Sequence, residues 1–312
     1  MQVVVDSRRL QKIIHAVSVD FPEIDFVFDD EKSRYESAKV AIGWVDTSLF
    51  QRMPHLEWVQ CDSSGVDWLL KVPKLSNGEV LVTNTRGAQA DSVSEHGIAM
   101  LLHHTRGIQD FSMLQALHLW TVPDTLNLRS LSELHLGIFG FGAIGKALAK
   151  RGNAFGMRVS AIDPFPSSLD SIVCAELNQS NLEVLLRDCD VLAITAPLTK
   201  QTKHAIGAKE FEMMKSDAII LVLSRGGIVD VNSLSRYVAA GKFSGVSLDC
   251  LENEPPDTND PIFTMPRTLI TPHCSTISSQ TESGIVKIIS TNLTRFLNNE
   301  TLINVVDKQR GY

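Results

Sequence analysis

Three uninterrupted apolar runs in the C-terminal half limit what this chain can fold into. The run at 218–223 passes through Ser224 and stops at Arg225. The run at 243–249 leads on to Glu254, and the run at 268–272 stops at His273. A strand buried on both faces reads as a continuous apolar stretch, which is the habit of parallel sheets. Open parallel sheets bind ligands just beyond the carboxyl ends of their strands. An arginine, a carboxylate and a histidine delivered to one such edge make an anion clamp with an acid/base pair. That arrangement predicts chemistry on a small carboxylate.

The rest of the chain keeps the same rhythm. Strands are expected at 2–5, 25–28, 40–42, 58–61 and 80–82, and then at 135–139, 158–162, 173–175, 190–195, 218–223, 245–248 and 268–271. Helices are expected at 93–108, 143–154, 181–187, 208–214, 231–240 and 277–297, with 119–129 as a loop. The helix at 143–154 presents Ile144, Ala147, Leu148 and Ala154 as its apolar face. Strand and helix alternating at this spacing means βαβ units. At 312 residues the chain exceeds one typical core. The expected fold is therefore α/β, with two Rossmann-like doubly wound parallel-sheet domains and a cleft between them. Residues 1–98 plus 280–312 form a flavodoxin-like substrate domain, and residues 99–279 form the dinucleotide-binding domain. The first is discontinuous because the last helix crosses back to it.

Gly140, Gly142 and Gly145 complete a GxGxxG between an expected strand and an expected helix. The first glycine permits the tight turn, the second lets the backbone approach a pyrophosphate, and the third lets helix and strand pack closely. The helix N-terminus then offers free N–H groups to the phosphates. Asp163 lies 18 residues past Gly145, at the end of the next strand. A carboxylate there accepts from both adenosine ribose hydroxyls and repels a 2′-phosphate, and no arginine follows to neutralise one. The cofactor expected is NAD in preference to NADP.

The bulk numbers narrow the partners. A net charge of −7 supplies no basic field for nucleic acid or an anionic membrane. No apolar stretch approaches the roughly 18 residues that span a bilayer. The N-terminus, from Met1 to Asp6, lacks a basic leader region and reads as a first strand. The five cysteines (Cys61, Cys174, Cys189, Cys250 and Cys274) are scattered and show no metal spacing. No metal site is expected, and reduced thiols in the cytoplasm are.

At the sheet edge, Gly226 and Gly227 let the backbone turn and leave the Arg225 guanidinium open for a bidentate carboxylate. Pro272 holds Thr271 extended, so His273 sits on a stiff strand end. A carboxylate on the far imidazole nitrogen would fix the tautomer. Glu252 and Glu254 both lie close enough in sequence, and spacing does not choose between them. Trp44 and Trp120 could shape the pocket or a partner-subunit wall, with plain packing the default for each.

These residues, with Ser64 to Asp67, Thr83 to Thr85, Val93 to His96, Pro197 to Thr199 and Arg225 to Asp230, resemble the D-isomer-specific 2-hydroxyacid dehydrogenases from about Leu56 to His273. The resemblance implies that Arg225 orients the substrate carboxylate and carbonyl, that His273 is the acid/base, and that Glu254, just before Pro255, is its partner. It implies that the amides of Ser64 and Gly65 also hold the carboxylate. Ala196, Pro197, Thr202, Leu223, Ser224 and Asp249 would line the cofactor cleft beside Gly140, Gly142, Ala143, Ile144, Gly145 and Asp163. A homodimer is implied, with its contact after the first crossing helix. The activity expected is NAD(H)-dependent reduction of a small 2-keto acid such as glyoxylate or hydroxypyruvate, reversible as a D-2-hydroxyacid dehydrogenase. An NAD(H)-sensing corepressor-like protein and a phosphite or 3-phosphoglycerate dehydrogenase are the alternatives. Val222, Cys250 and Cys274 depart from the family pattern without removing a catalytic group.

Overall fold

The computed structural model describes residues 1–30, 32–124, 126–169 and 172–312, so part of the loop expected at 119–129 (Thr125) lies outside them. Two compact units emerge, one of residues 1–89 and 277–312 and one of residues 90–276.

The first unit is built on β1 (Gln2–Val5), β2 (Asp25–Phe28), β3 (Val40–Ile42), β4 (Trp58–Gln60) and β5 (Leu81–Thr83). They pair in the order β2-β1-β3-β4-β5, every pair parallel. This is the flavodoxin-like order. The helices Gln11–Ser18 and Ser279–Leu297 cover one face, where Ile14, Val17, Ile285, Ile289 and Leu293 bury Val3, Val5 and Trp58. Leu49, Met53, Leu69 and Leu75 close the other face over Val4 and Val59.

A buried polar chain fastens the returning helix to the sheet. Asn292 Nδ2 donates to Gln60 Oε1 at 2.8 Å, and Ile303 N donates to Asn292 Oδ1 at 2.8 Å. Thr83 Oγ1 also donates to Gln60 Oε1, and Trp58 Nε1 donates to Thr83 Oγ1. Beyond the helix, Lys308 Nζ donates to the carbonyls of Leu75, Gly78 and Val80 at 2.7, 2.8 and 2.6 Å.

The second unit holds β6 (His135–Phe139), β7 (Arg158–Asp163), β8 (Ser168–Leu169), β9 (Ile172–Glu176), β10 (Val191–Ile194), β11 (Ile219–Val222), β12 (Gly245–Leu248) and β13 (Thr268–Ile270). Their order is β13-β12-β11-β10-β6-β7-β9-β8, parallel except for the short edge strand β8. The chain runs outward one way from β6 to β7 and the other way from β10, so β6 and β10 flank the switch point where such sheets bind ligands. The central strands β10 and β11 are apolar and buried throughout because both faces are covered. Leu182, Leu186, Phe211 and Leu234 pack on one side, and Ile98, Leu101, Leu148 and Ala149 on the other.

Several expectations shift. The crossing helix is Ala90–Thr105, not 93–108. Gly107 takes φ +60°, and a separate helix, Ile108–Ala116, follows with none of its residues buried. The units part at 89/90 and 276/277, whereas the sequence had suggested 98/99 and 279/280. A division at 98/99 would cut one continuous helix, which folds as a cooperative element. The buried face of the helix Ala143–Ala154 is Gly145, Leu148, Ala149 and Gly152, and Ala154 is exposed.

Candidate active site

The glycine-rich turn sits at the switch point. Gly140 takes φ +99°, and a Cβ there would lie 2.5 Å from Ala196 Cα, at the end of β10. A Cβ on Gly145 would fall on the Gly140 carbonyl oxygen, while one on Gly142 would meet open space. The helix Ala143–Ala154 starts at Gly142 without any side-chain cap, so the first N–H groups, those of Ala143 and Ile144 among them, face that space. Ser224 Oγ, buried beyond β11, finds no hydrogen-bond partner among the described residues. An open cradle, an uncapped helix start and an orphaned hydroxyl suit a dinucleotide whose pyrophosphate needs donors.

Asp163 ends β7 beside this turn. Its Oδ2 accepts from Phe141 N at 2.7 Å and its Oδ1 from Phe165 N at 2.9 Å. The carboxylate is thereby held against the glycine turn, with acceptor capacity left for hydroxyls. Other residues expected at the cofactor serve the scaffold through their side chains. Thr202 Oγ1 donates to Pro197 O at 2.7 Å and accepts from Thr199 N at 2.8 Å, which shapes the loop after β10. Leu223 is buried in the core against Gly97, so only its backbone can serve a cofactor.

The catalytic candidates come together at the carboxyl edge of β11, β12 and β13. Val222 pairs with Leu248 and Leu248 with Ile270, so the three strands end level. Arg225, Glu254 and His273 all follow from that line. Arg225 is half-buried, and its Nη1 donates to Ser224 O at 2.7 Å. Gly226 is pressed against the backbone of Leu251 and Glu252, so any side chain there would drive the arginine turn off the Glu254 loop.

His273 Nδ1 lies 2.8 Å from Glu254 Oε2, and the two side chains are 35% and 36% exposed. Glu254 is folded back by Leu251 N, which donates to its Oε1 at 2.7 Å. Glu252 points elsewhere, to His204 Nε2 at 3.0 Å and Lys203 Nζ at 3.3 Å. These cations hold its carboxyl below the usual range, the His204 hydrogen bond foremost. The structure thus separates the two glutamates that spacing left open.

His273 itself takes φ +50°, the left-handed region. Its N–H donates to Asp249 O at 2.8 Å and to Thr271 O at 2.9 Å. The buried Asp249 carboxylate accepts from Thr271 Oγ1 at 2.6 Å, Cys274 N at 3.0 Å and Ser275 N at 3.2 Å, which secures the turn on both sides of the histidine. His96 Nε2 meets Thr271 Oγ1 at 3.0 Å. Sequence reasoning assigns His96 and Thr271 no role, because a histidine in a helix and a threonine at a strand end carry no signal of their own.

Ser64 and Gly65 belong to the other unit, past β4. Ser64 Oγ donates to Gln89 Oε1 at 2.6 Å, Asn84 Nδ2 donates to Ser64 O at 2.9 Å, and Ser63 Oγ donates to Gly65 O at 2.9 Å. Trp44 is half exposed beneath the Arg9 guanidinium, 5.2 Å from its ring centre. Trp120 is fully exposed, so the expectation of plain packing within the chain fails for it. The loop that carries it has no regular structure to press the ring against.

The family model of the D-isomer specific 2-hydroxyacid dehydrogenase NAD binding domain matches residues 98–275. The chain belongs to this family. A glyoxylate reductase of Thermococcus litoralis is 30% identical over 85% of this chain and 81% of its own length. A glycerate dehydrogenase of Methylorubrum extorquens is 28% identical over 79% of this chain and 78% of its own. Among solved structures, an NADPH-dependent glyoxylate/hydroxypyruvate reductase from Sinorhizobium meliloti shares the fold, with a TM-score of 0.88, 24% identity and coverage of 100% and 99%. D-isomer specific 2-hydroxyacid dehydrogenases are NAD(P)-dependent oxidoreductases acting on CH–OH groups, and that is the broad chemistry of this chain.

Proposed function

We propose that the protein is an NADH-dependent reductase of small 2-keto acids, with glyoxylate and hydroxypyruvate foremost, that runs in reverse as a D-2-hydroxyacid dehydrogenase. The observation that carries this reading is the 2.8 Å pair of His273 Nδ1 and Glu254 Oε2 at the carboxyl edge of the nucleotide-type sheet. With Nδ1 committed to the carboxylate, Nε2 is the nitrogen that holds and transfers the proton. Arg225 takes the substrate carboxylate as a fork and orients the carbonyl toward His273. In the reductive direction Nε2 gives its proton to the carbonyl oxygen as it becomes a hydroxyl. The bound nicotinamide supplies the hydride. Asp249 keeps the His273 turn in place, and most of the rate comes from this prior positioning. For Ser64 and Gly65, the assignment to the substrate carboxylate rests on the family pattern alone.

The turn at 140–145 would hold the cofactor, with Asp163 available to the ribose hydroxyls and Ser224, Ala196 and Pro197 beside it. Asp163 supports NAD, since a carboxylate repels a 2′-phosphate. The Sinorhizobium meliloti reductase binds NADP, so coenzyme choice is the first measurement. Oxidation of NADH and NADPH is compared across glyoxylate, hydroxypyruvate, pyruvate and phenylpyruvate. NADH with the two smaller acids is expected to be fastest. His273→Ala should lose at least a hundredfold in kcat and still bind NADH. Full turnover in that variant removes the assignment. NADH binding without oxidation of any acid turns the reading toward the sensing alternative.

The protein is further assigned a homodimer and a reducing, cytoplasmic setting. Ile108, Met113, Leu117, Leu119, Trp120 and Val122 are exposed apolar residues on one stretch of chain, and a second copy would cover them. Light scattering should give twice the chain mass, and Trp120→Glu should give the monomer. A wild-type monomer ends the dimer assignment. Cys61, Cys174, Cys189, Cys250 and Cys274 are all free thiols, which fits a reducing compartment, and among the described residues no helix is long and apolar enough to cross a membrane.

A further inference from the structure

Cys250 sits directly after β12, one residue past Asp249, and is 2% exposed. Its Sγ donates to Ser224 O at 3.4 Å. The same thiol lies under the acid/base pair: Cys250 Sγ, a Glu254 carboxylate oxygen and a His273 ring nitrogen all fall within 4.8 Å of one another. Sulfur, nitrogen and oxygen donors from three side chains on adjacent strand ends are the makings of a metal site. We propose that Cys250, Glu254 and His273 form an inhibitory site for a zinc-like divalent cation.

The geometry favours this over a chance cluster. The ligand bonds of zinc, about 2.3 Å to sulfur and 2.0–2.2 Å to nitrogen and oxygen, set donors roughly 3.5 Å apart in a tetrahedron. The His273 to Glu254 separation is already below that, and the sulfur has to close by about an ångström at most. The ion enters from the exposed side of His273 and Glu254 and meets the thiolate beneath, which leaves the fourth position to water. The thiol proton goes to solvent, and the proton bridging Nδ1 and Oε2 moves to Nε2, so the ring ligates through the Nδ1 lone pair as a neutral imidazole. Burial, then the Asp249 carboxylate, push the Cys250 thiol up, and Arg225 pulls it down from nearby. The cation therefore has to displace the thiol proton against desolvation, and Arg225 opposes it by like charge while helping the thiolate form. The mixed S, N and O set selects borderline and softer ions over magnesium or calcium.

A second triplet, His96, Asp249 and Cys274, has donors at similar spacing. Asp249 there already accepts from one hydroxyl and two backbone N–H groups, and a metal would have to strip these from it. The Cys250 site asks only for a bridging proton and a weak thiol contact.

Inhibition follows because the cation occupies the nitrogen and carboxylate that position the acid/base. This consequence rests on the proposed role of His273, whereas the binding site does not, so the test separates them. The metal-free protein is titrated with Co2+, and the thiolate-to-cobalt charge-transfer absorption in the near ultraviolet is followed. One equivalent should raise the band. Cys250→Val and Cys250→Ala should abolish it, and Cys274→Ser should keep it. In parallel, Zn2+ inhibition of ketoacid-dependent NADH oxidation is measured, each variant against its own metal-free rate. Both Cys250 variants should need at least tenfold more Zn2+, and a chelator should restore the wild type. No thiolate band in the wild type, or a band lost in Cys274→Ser and kept in Cys250→Val, overturns the site. Equal Zn2+ sensitivity in the Cys250 variants overturns the inhibition. Should no ketoacid support turnover at all, the functional reading falls while the cobalt titration still decides the site.

Discussion

A left-handed backbone at a residue with a Cβ costs roughly 1–2 kcal/mol, and His273 carries it at φ +50°. The expense persists because both neighbours of the imidazole are tied to Asp249, through Thr271 Oγ1 on one side and the N–H groups of Cys274 and Ser275 on the other. What it gains is direction, since the ring is turned back toward Glu254. A second histidine sets a limit on acid tolerance. His104 is wedged against Gly245, with Nε2 3.2 Å from Val246 O and 2.9 Å from Ser247 Oγ, and burial lowers its pKa to about 4. Between pH 6.5 and about 4 the unfolded chain takes up a proton that the folded chain declines. Stability is therefore complete above 6.5 and falls through that window, by about 3 kcal/mol at its lower end. Urea unfolding of wild type and His104→Gln from pH 7.5 to 4.5 should show a steeper decline for the wild type. Parallel curves would mean that His104 does not carry the effect.

Helices here meet through what they lack. The helices Ala90–Thr105 and Ala143–Ala154 meet where Gly97 lies against Leu148, beside Leu223, while Gly145 lies against the Gly140 turn and Gly152 against Leu136. Gly145→Ala would put a methyl on the Gly140 carbonyl and force helix and turn apart. Overpacking of this kind costs about 2 kcal/mol, and the displaced turn should weaken NADH at least tenfold. A urea midpoint and an NADH fluorescence titration read the two effects, and an unaltered affinity would sink the turn's assigned role. The same helix marks how far the sequence could be read. Its span, 143–154, was legible, as were the strands other than the two-residue β8 within a residue or two, because apolar runs bounded by glycine and charge have few other meanings. Its buried face was not, since glycine and alanine add nothing to a hydrophobic period. Gly107 was hidden for a related reason: a glycine inside an apolar stretch does not announce whether the helix continues. At the site, Arg225 and His273 stood out because each stops a strand. Glu254 did not, because Glu252 lies in the same loop; the fold distinguishes them, with Leu251 N–H turning Glu254 back beside His273 and with Glu252 drawn off to His204 and Lys203. The contact of His96 was not legible, its partner Thr271 being 175 residues away.

At the scale of the whole chain, residues 90–276 form one uninterrupted unit, while the other unit borrows residues 277–312. The loan is structural, because Ile285, Ile289 and Leu293 cover Val3, Val5 and Trp58, and Asn292 completes the polar chain on Gln60. A chain ending at residue 276 should keep residues 90–276 resistant to protease and lose residues 1–89 rapidly. Equal resistance in both parts would mean that the first sheet stands without its last helix. During translation the consequence is one of timing. Domains tend to fold as they leave the ribosome, at roughly 5–20 residues per second. The first sheet emerges early and then waits, on the order of ten seconds or more, with one apolar face covered only in part, by the helix Gln11–Ser18. Chaperones that grip nascent chains would find their foothold there, and residues 277–312, made much later, are the ones that dislodge them.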